Sequence, residues 1–196
     1  MAKVLEQGRD FAILYKEAGE DSEKTAPSGM GVLYRLDMPV AGLIAAAKSG
    51  SKLEILSKRY FLVCSGKLEN DTGTMEDLLY HDPRSNRTFP VKKMRKGVKE
   101  AKLSYEVLGY DEKDDLSFVS CILDTGRTHQ IRAQFASRRH PLAGDGKYGS
   151  RIKCPVALTC GELTYRADGN SEAKTVRVMT MTEYPWNLFD AVDLPH

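Results

Sequence analysis

Long apolar runs are missing from this sequence. The longest stretch of small apolar residues, 42–47, falls far short of the roughly 20 residues that a membrane-spanning helix requires. Cysteine is scarce too. Cys64, Cys121, Cys154 and Cys160 form no CxxC pair, and no histidine stands at zinc-finger spacing from any of them. Neither a disulfide framework nor a cysteine-based metal site is therefore expected. Cys64 and Cys121 lie in apolar, strand-like runs and read as buried core thiols. Net charge is almost absent, since 29 Lys and Arg against 27 Asp and Glu leave +2, so bulk charge marks no polyanion binder. The first ten residues are polar and have none of the character of a secretory leader. With free thiols, this predicts a reducing, cytoplasmic home. Phosphate-cradling and dinucleotide-binding glycine patterns are missing as well.

What is present suits one globular domain spanning residues 1–196. The apolar fraction of 41% supports a real core, and the charged fraction of 29% mixes both signs. The charges are sorted along the chain. Residues 84–102 carry Arg84, Arg87, Lys92, Lys93, Arg95, Lys96, Lys99 and Lys102 against Glu100 alone. Residues 127–153 carry Arg127, Arg132, Arg138, Arg139, Lys147, Arg151 and Lys153 against Asp145. A solvated surface is the plain reading of either run; two of them on a near-neutral chain also suit a face for a polyanion.

Hydrophobic periodicity predicts strands at 11–15, 60–65, 103–110, 116–123, 156–165 and 175–182. Short apolar runs at 32–36 and 43–47 flank Asp37-Met38-Pro39, placing Asp37 where a strand leaves its sheet. Residues 17–31 read as a loop with Gly, Ser and Pro, and residues 73–99 as a long, polar, basic connection. One helix is expected over 127–137, with Ile131 and Phe135 inward, joined by Thr128 and Ala136, and with Asp124 or Thr125 as its cap. Strands outnumber helices and follow one another, which predicts an α+β fold with a mixed, largely antiparallel central sheet flanked by helices.

Three clusters could carry chemistry. Arg35-Leu36-Asp37 sets a cation and a carboxylate two residues apart, on one side if the segment is a strand. Thr125 to Arg132 packs two arginines, a histidine and a glutamine around a helix start, a natural place for phosphate or carboxylate. His129 there reads first as a hydrogen-bonded histidine, because no nucleophile motif accompanies it. The third cluster runs from His140 to Gly149. Its Asp145 stands between two glycines and reads as a turn former before it reads as a catalytic acid.

Together these segments resemble the RluA-like family of RNA pseudouridine synthases. Leu33-Tyr34-Arg35-Leu36-Asp37 with Val40-Ala41-Gly42-Leu43 is similar to its HRLD motif and trailing glycine. Thr125 to Arg132 matches TGRTHQIR throughout, and His140 to Tyr148 matches HPL-GD-Y. Lys58-Arg59-Tyr60 resembles its K-x-Y strand and residues 101–108 its A-x-x-Y-x-V-L strand, while Pro185-Trp186 with Phe189 resembles a C-terminal feature of some members.

The resemblance implies the pseudouridine synthase catalytic fold with a central RNA-binding cleft. It implies conversion of uridine to pseudouridine in ribosomal or transfer RNA by base flipping, without cofactor or metal, away from membranes, by a monomer. It assigns Asp37 as the catalytic carboxylate and Arg35, Tyr60 and Arg132 as substrate-binding residues. Tyr60 stacks on the target base, Arg132 ion-pairs with the aspartate, and Arg35 enters the RNA stack that the base has left. The sequence departs from the pattern in several ways. Tyr34 replaces the histidine of HRLD, a change expected to be structural. Lys16-Glu17-Ala18-Gly19 lacks the proline of a KPAG-like turn. The connections 19–35 and 48–60 are short, and no S4-like RNA-binding segment precedes the matching stretch. Two other readings stand beside this one. The first is a catalytically inactive RNA-binding or chaperone homologue. The second is a hydrolase using His129 and Asp145, for which neither a nucleophile nor an oxyanion hole is evident.

Overall fold

The computed structural model describes residues 2–179 and 181–194. In chain order the elements are β1 (Lys3–Gln7), β2 (Phe11–Lys16), α1 (Ser22–Thr25), β3 (Gly31–Val32), β4 (Ala41–Ala47), β5 (Glu54–Ser65), β6 (Thr72–Asp82), β7 (Arg87–Val91), β8 (Val98–Asp111), β9 (Leu116–Leu123), α2 (Gln130–Ser137), β10 (Leu158–Arg166) and β11 (Lys174–Arg177), with short 3-10 turns at Gly146–Tyr148 and Trp186–Phe189. The chain folds as two compact units. One comprises residues 1–60 and 158–179, the other 61–157 and 180–196, and β5 runs from the first into the second.

In the first unit β2 pairs antiparallel with β1 and with β4, β3 pairs with β4, and β11 with β10. One parallel pair, β4 with β10, makes the sheet mixed as the sequence predicts. Both faces of β2 and β4 are covered, so their residues are a continuous apolar run rather than an alternation. Ala12, Leu14, Ile44 and Ala46 form a core patch against which Ala26, Met30, Val32 and Tyr34 pack.

In the second unit the order is β5, β9, β8, β6, β7, joined antiparallel from β9 onward. The α2 helix packs on β6 and β7. Its Ile131 and Phe135 are buried as predicted, each side chain contributing about 1.5–3 kcal/mol by leaving water. On β9, Phe118 stacks with Phe189 at 5.3 Å and meets Trp186 edge-on at 6.2 Å, so the Pro185-Trp186-Phe189 feature is a core anchor.

Four expectations need correcting. Residues 73–99 are no plain connection, because they hold β6 and β7 as a hairpin. Met75 and Leu79 face α2, but Asp77 and His81 share that side, and the opposite side mixes Glu76 with Leu78 and Tyr80, so the apolar period is diluted. Of residues 32–36 only Val32 lies in a strand, the two-residue β3, so the same-side argument for Arg35 and Asp37 does not apply. The helix starts at Gln130, and its N-cap is His129 in the left-handed region at φ 54°, without a side-chain cap. Thr125 instead donates to Gln130 Oε1 at 2.9 Å, and Thr128 is exposed ahead of the helix. The last strand ends at Arg177, and residue 180 of the predicted strand lies outside the described residues.

Candidate functional site

Asp37 stands in an irregular loop whose main chain is fixed from two sides. Its carbonyl accepts from Val40 N–H at 2.9 Å, closing the Asp37–Val40 turn. Before it, Ser22 Oγ on α1 donates to Leu36 O and accepts from Leu36 N–H, both at 3.0 Å. After it, Lys16 reaches up from the end of β2. Its Nζ donates to Val40 O at 2.8 Å, to Glu17 O at 2.9 Å and to Met38 O at 3.4 Å. Lys16 has 0% exposure. Burial lowers its pKa, opposed by the nearby negative charges of Glu20, Asp37, Asp21 and Glu17. A lysine fully withdrawn from water needs such carbonyls and carboxylates around it. In sequence Lys16 stands out only as part of an altered turn, and the signal for more is a cation closing a strand of otherwise apolar residues.

Arg35 points outward, 3.3 Å from Glu23, with both side chains more than 60% exposed. Such a pair is worth at most about 1 kcal/mol and leaves the guanidinium available. Tyr34 turns inward, and its hydroxyl donates to Leu43 O at 3.0 Å. This is the structural role expected of it. Lys58 Nζ lies 4.0 Å from the centre of the Tyr34 ring. Lys58 and Tyr60 share one face of β5, while Arg59 on the other face meets Glu162 at 3.4 Å.

Tyr60 is 6% exposed and Cys160 fully buried. Burial pushes the Cys160 thiol up to about 12, against the opposing pull of Lys58 and of hydrogen bonding with Tyr60 and Tyr34. At neutral pH this cysteine is a thiol and no nucleophile. Gly42, at φ +130°, lets β4 approach β10, since a Cβ there would stand 2.5 Å from the Cys160 amide nitrogen and carbonyl oxygen.

In the second unit the Thr125–Arg132 segment is organised by Gln130. Its Oε1 accepts from Arg127 N–H at 3.0 Å, and its Nε2 donates to Lys102 O at 3.1 Å, tying the turn to β8. Arg132 and Asp145 form a bidentate ion pair, Nε to Oδ2 at 2.7 Å and Nη2 to Oδ1 at 2.9 Å, with side chains 4% and 1% exposed. The guanidinium also lies 5.0 Å from the centre of the Tyr148 ring. Tyr148 Oη accepts from Thr88 N–H at 2.8 Å and meets His129 Nδ1 at 3.0 Å. His129 is therefore held in a buried hydrogen-bonded network. Asp145 does more than form a turn, because it neutralises a buried arginine, a partnership that spacing in the sequence could not reveal. Among the described residues, no group of three or more His, Cys, Asp or Glu is placed to hold a metal ion, and no helix is long and apolar enough to cross a membrane.

Residues 9–137 match the family model described as RNA pseudouridylate synthase. An uncharacterized RNA pseudouridine synthase of Aquifex aeolicus is 34% identical over 128 residues, which cover 61% of this chain and 40% of that protein. The ribosomal large subunit pseudouridine synthase D of Neisseria meningitidis serogroup A is 33% identical over 131 residues, covering 61% of this chain and 33% of that protein. The matched stretch thus spans well under half the length of these curated relatives. Among solved structures, human RNA pseudouridylate synthase domain containing 1 superposes with a TM-score of 0.74 at 19% identity, covering 92% of this chain and 84% of that one. Human RNA pseudouridylate synthase domain containing 4 also gives 0.74, at 14% identity, covering 99% and 95%. These two establish the fold, and the family match, extending from β2 through α2, establishes the lineage: the chain belongs to the RNA pseudouridylate synthase family, in the RluA-like branch to which its motifs point.

Proposed function

We propose that this chain isomerises a specific uridine in RNA to pseudouridine, with Asp37 as the catalytic carboxylate. The observation that carries the reading is the Asp37 loop, whose main chain is fixed by Lys16 and Ser22 in a member of this family. A carboxylate that acts on a flipped nucleotide needs a rigid backbone, because misplacement by an ångström costs orders of magnitude in rate. In the reaction the C1′–N1 bond breaks, the uracil turns, and a C1′–C5 bond forms. C5 loses its proton and N1 ends with one, so the atoms balance without cofactor or metal. Asp37 acts either as nucleophile or as base.

Arg35, Tyr60 and Arg132 serve as the substrate-binding residues. Extracting the base costs a few kcal/mol of unstacking, and stacking on Tyr60 returns about 1–3 kcal/mol. Arg35, exposed on its loop, takes the gap left in the RNA. The substrate is ribosomal or transfer RNA, with ribosomal RNA first because several relatives are named for the large ribosomal subunit. Residues 1–196 work as one catalytic domain, as a monomer in the cytoplasm. Binding weakens as salt rises, since phosphate contacts release counterions.

The test is pseudouridine mapping of total RNA from a strain lacking the gene, then complemented with wild type or Asp37→Asn. A uridine that loses its modification, regained only with wild type, is the expected result. If no position changes, or Asp37→Asn restores it, the activity is wrong, and the inactive RNA-binding homologue takes its place.

A further inference from the structure

The β6–β7 hairpin carries an aromatic and cationic surface to which none of the roles above gives a task. On the face turned away from α2, Tyr80 and Phe89 are cross-strand partners. Their rings meet edge-on at 5.7 Å. The Arg95 guanidinium lies 5.1 Å from the centre of the Tyr80 ring. Gly97, at φ +85°, lets the 92–97 loop fold against that ring, where a Cβ would come within 3.3 Å of it. Phe89 remains 39% exposed and Met94, next to Arg95, 55%. Residues 84–99 contain seven cations, Arg84, Arg87, Lys92, Lys93, Arg95, Lys96 and Lys99, all exposed and with no acid among them. Further along the same face Glu76 and Glu100 line a separate hollow together with Lys102.

We infer that Tyr80, Phe89 and Arg95 form a stacking platform for unpaired bases of the RNA substrate. This inference rests on the reading of the chain as an RNA-modifying enzyme. Three planar groups held against one another offer ring faces, and every base has a matching face, so such a platform is tolerant of sequence. The flanking lysines track the phosphates. The acids further along the face repel a polyanion, which confines the strand to the hairpin end. Among the described residues β7 ends the sheet order, paired with β6, so the platform sits on an edge strand. Apolar cover alone would not call for a guanidinium stacked on a tyrosine, and a surface made only to attract anions would have no use for an exposed phenylalanine.

The test measures binding of a labelled single-stranded oligouridine RNA to the whole chain over a series of salt concentrations. Phe89→Ala and Phe89→Leu each weaken binding roughly tenfold, the loss of one stacked base, without changing the salt slope. Arg95→Lys weakens it several-fold at the same slope, because the charge stays and the plane goes. Lys92→Gln with Lys93→Gln lowers the slope. Phe89 is exposed enough that these variants keep the fold. Wild-type affinity in Phe89→Ala or Phe89→Leu overturns the platform and leaves the enzymatic reading intact. Absence of RNA binding by the wild type overturns both. Phe89-dependent binding to phosphatidylserine vesicles, with RNA binding independent of Phe89, replaces the platform by a membrane contact.

Discussion

The Lys16 ammonium donates to Val40 O at 2.8 Å from a side chain with no exposed surface, so the end of β2 holds the loop that carries Asp37. Lys16→Met keeps the apolar stem and removes the donor. The carbonyls of Val40 and Glu17 then lose a partner, at about 1–3 kcal/mol for each buried group left unsatisfied. A drop of roughly 2–4 kcal/mol in urea-denaturation free energy is expected. Turnover should fall as well, measured at a temperature where the variant is still folded. Unchanged turnover in a destabilised but folded protein would show that the loop keeps its shape without Lys16.

Gly42→Ala tests the parallel pairing of β4 with β10. A methyl group at that position would lie 2.5 Å from the main chain of Cys160, and the backbone angle of +130° disfavours any side chain. Neither strand can yield cheaply, because residues 42–46 have no more than trace exposure. The expected loss is about 3 kcal/mol or more, read as a fall in melting temperature or as insoluble protein. A variant as stable as wild type would mean that the two strands can separate at low cost.

The strands with one clear apolar pattern were readable in advance. Residues 116–123 are β9 to the residue, and 11–15 fall one short of β2. The hairpin of β6 and β7 was not, because its inward face includes Asp77 and His81. Each is acceptable there only through a partner: for Asp77 this is Gln134 and Arg138, from a distant segment, and for His81 it is Thr88, across the hairpin. The candidate site divides in the same way. Asp37, Arg35, Tyr60 and Arg132 are candidates through motifs. Lys16, Ser22 and Asp145 act by tertiary contacts that no spacing encodes, and a buried lysine or aspartate looks in sequence like any surface charge.

Tyr34 provides a pH test. Burial raises its hydroxyl pKa well above the usual value of 10.0, with smaller contributions from Cys160 and Tyr60. A raised folded-state value means that the unfolded chain loses this proton first. The stabilisation is complete below about pH 10 and declines as pH climbs above it, by about 1.4 kcal/mol for each pH unit until the folded value is reached. Tyr165 and Cys64 shift in the same direction, so the comparison must be between proteins. Tyr34→Phe should cost about 1 kcal/mol at neutral pH through the lost Leu43 bond. Its stability should then decline less steeply than wild type in denaturant titrations above pH 10. Parallel curves for the two proteins would remove Tyr34 as the source.

The Arg132–Asp145 pair predicts a particular order of damage. Both side chains are almost wholly buried, and both oxygens of the carboxylate are engaged. Asp145→Ala strips a buried guanidinium of its bidentate partner and should cost about 3–5 kcal/mol. Arg132→Lys keeps the charge but cannot present two parallel N–H groups or a flat face to Tyr148, so it too should destabilise, by less. Arg132→Met with Asp145→Leu removes both charges and should recover much of the stability lost in Asp145→Ala. Urea denaturation of the four proteins gives the order, and RNA modification separates structure from function. If the double variant is stable yet modifies no RNA, the arginine serves the reaction as well as the fold. If it is stable and fully active, Arg132 belongs to the core alone, and its assignment as a substrate-binding residue is wrong.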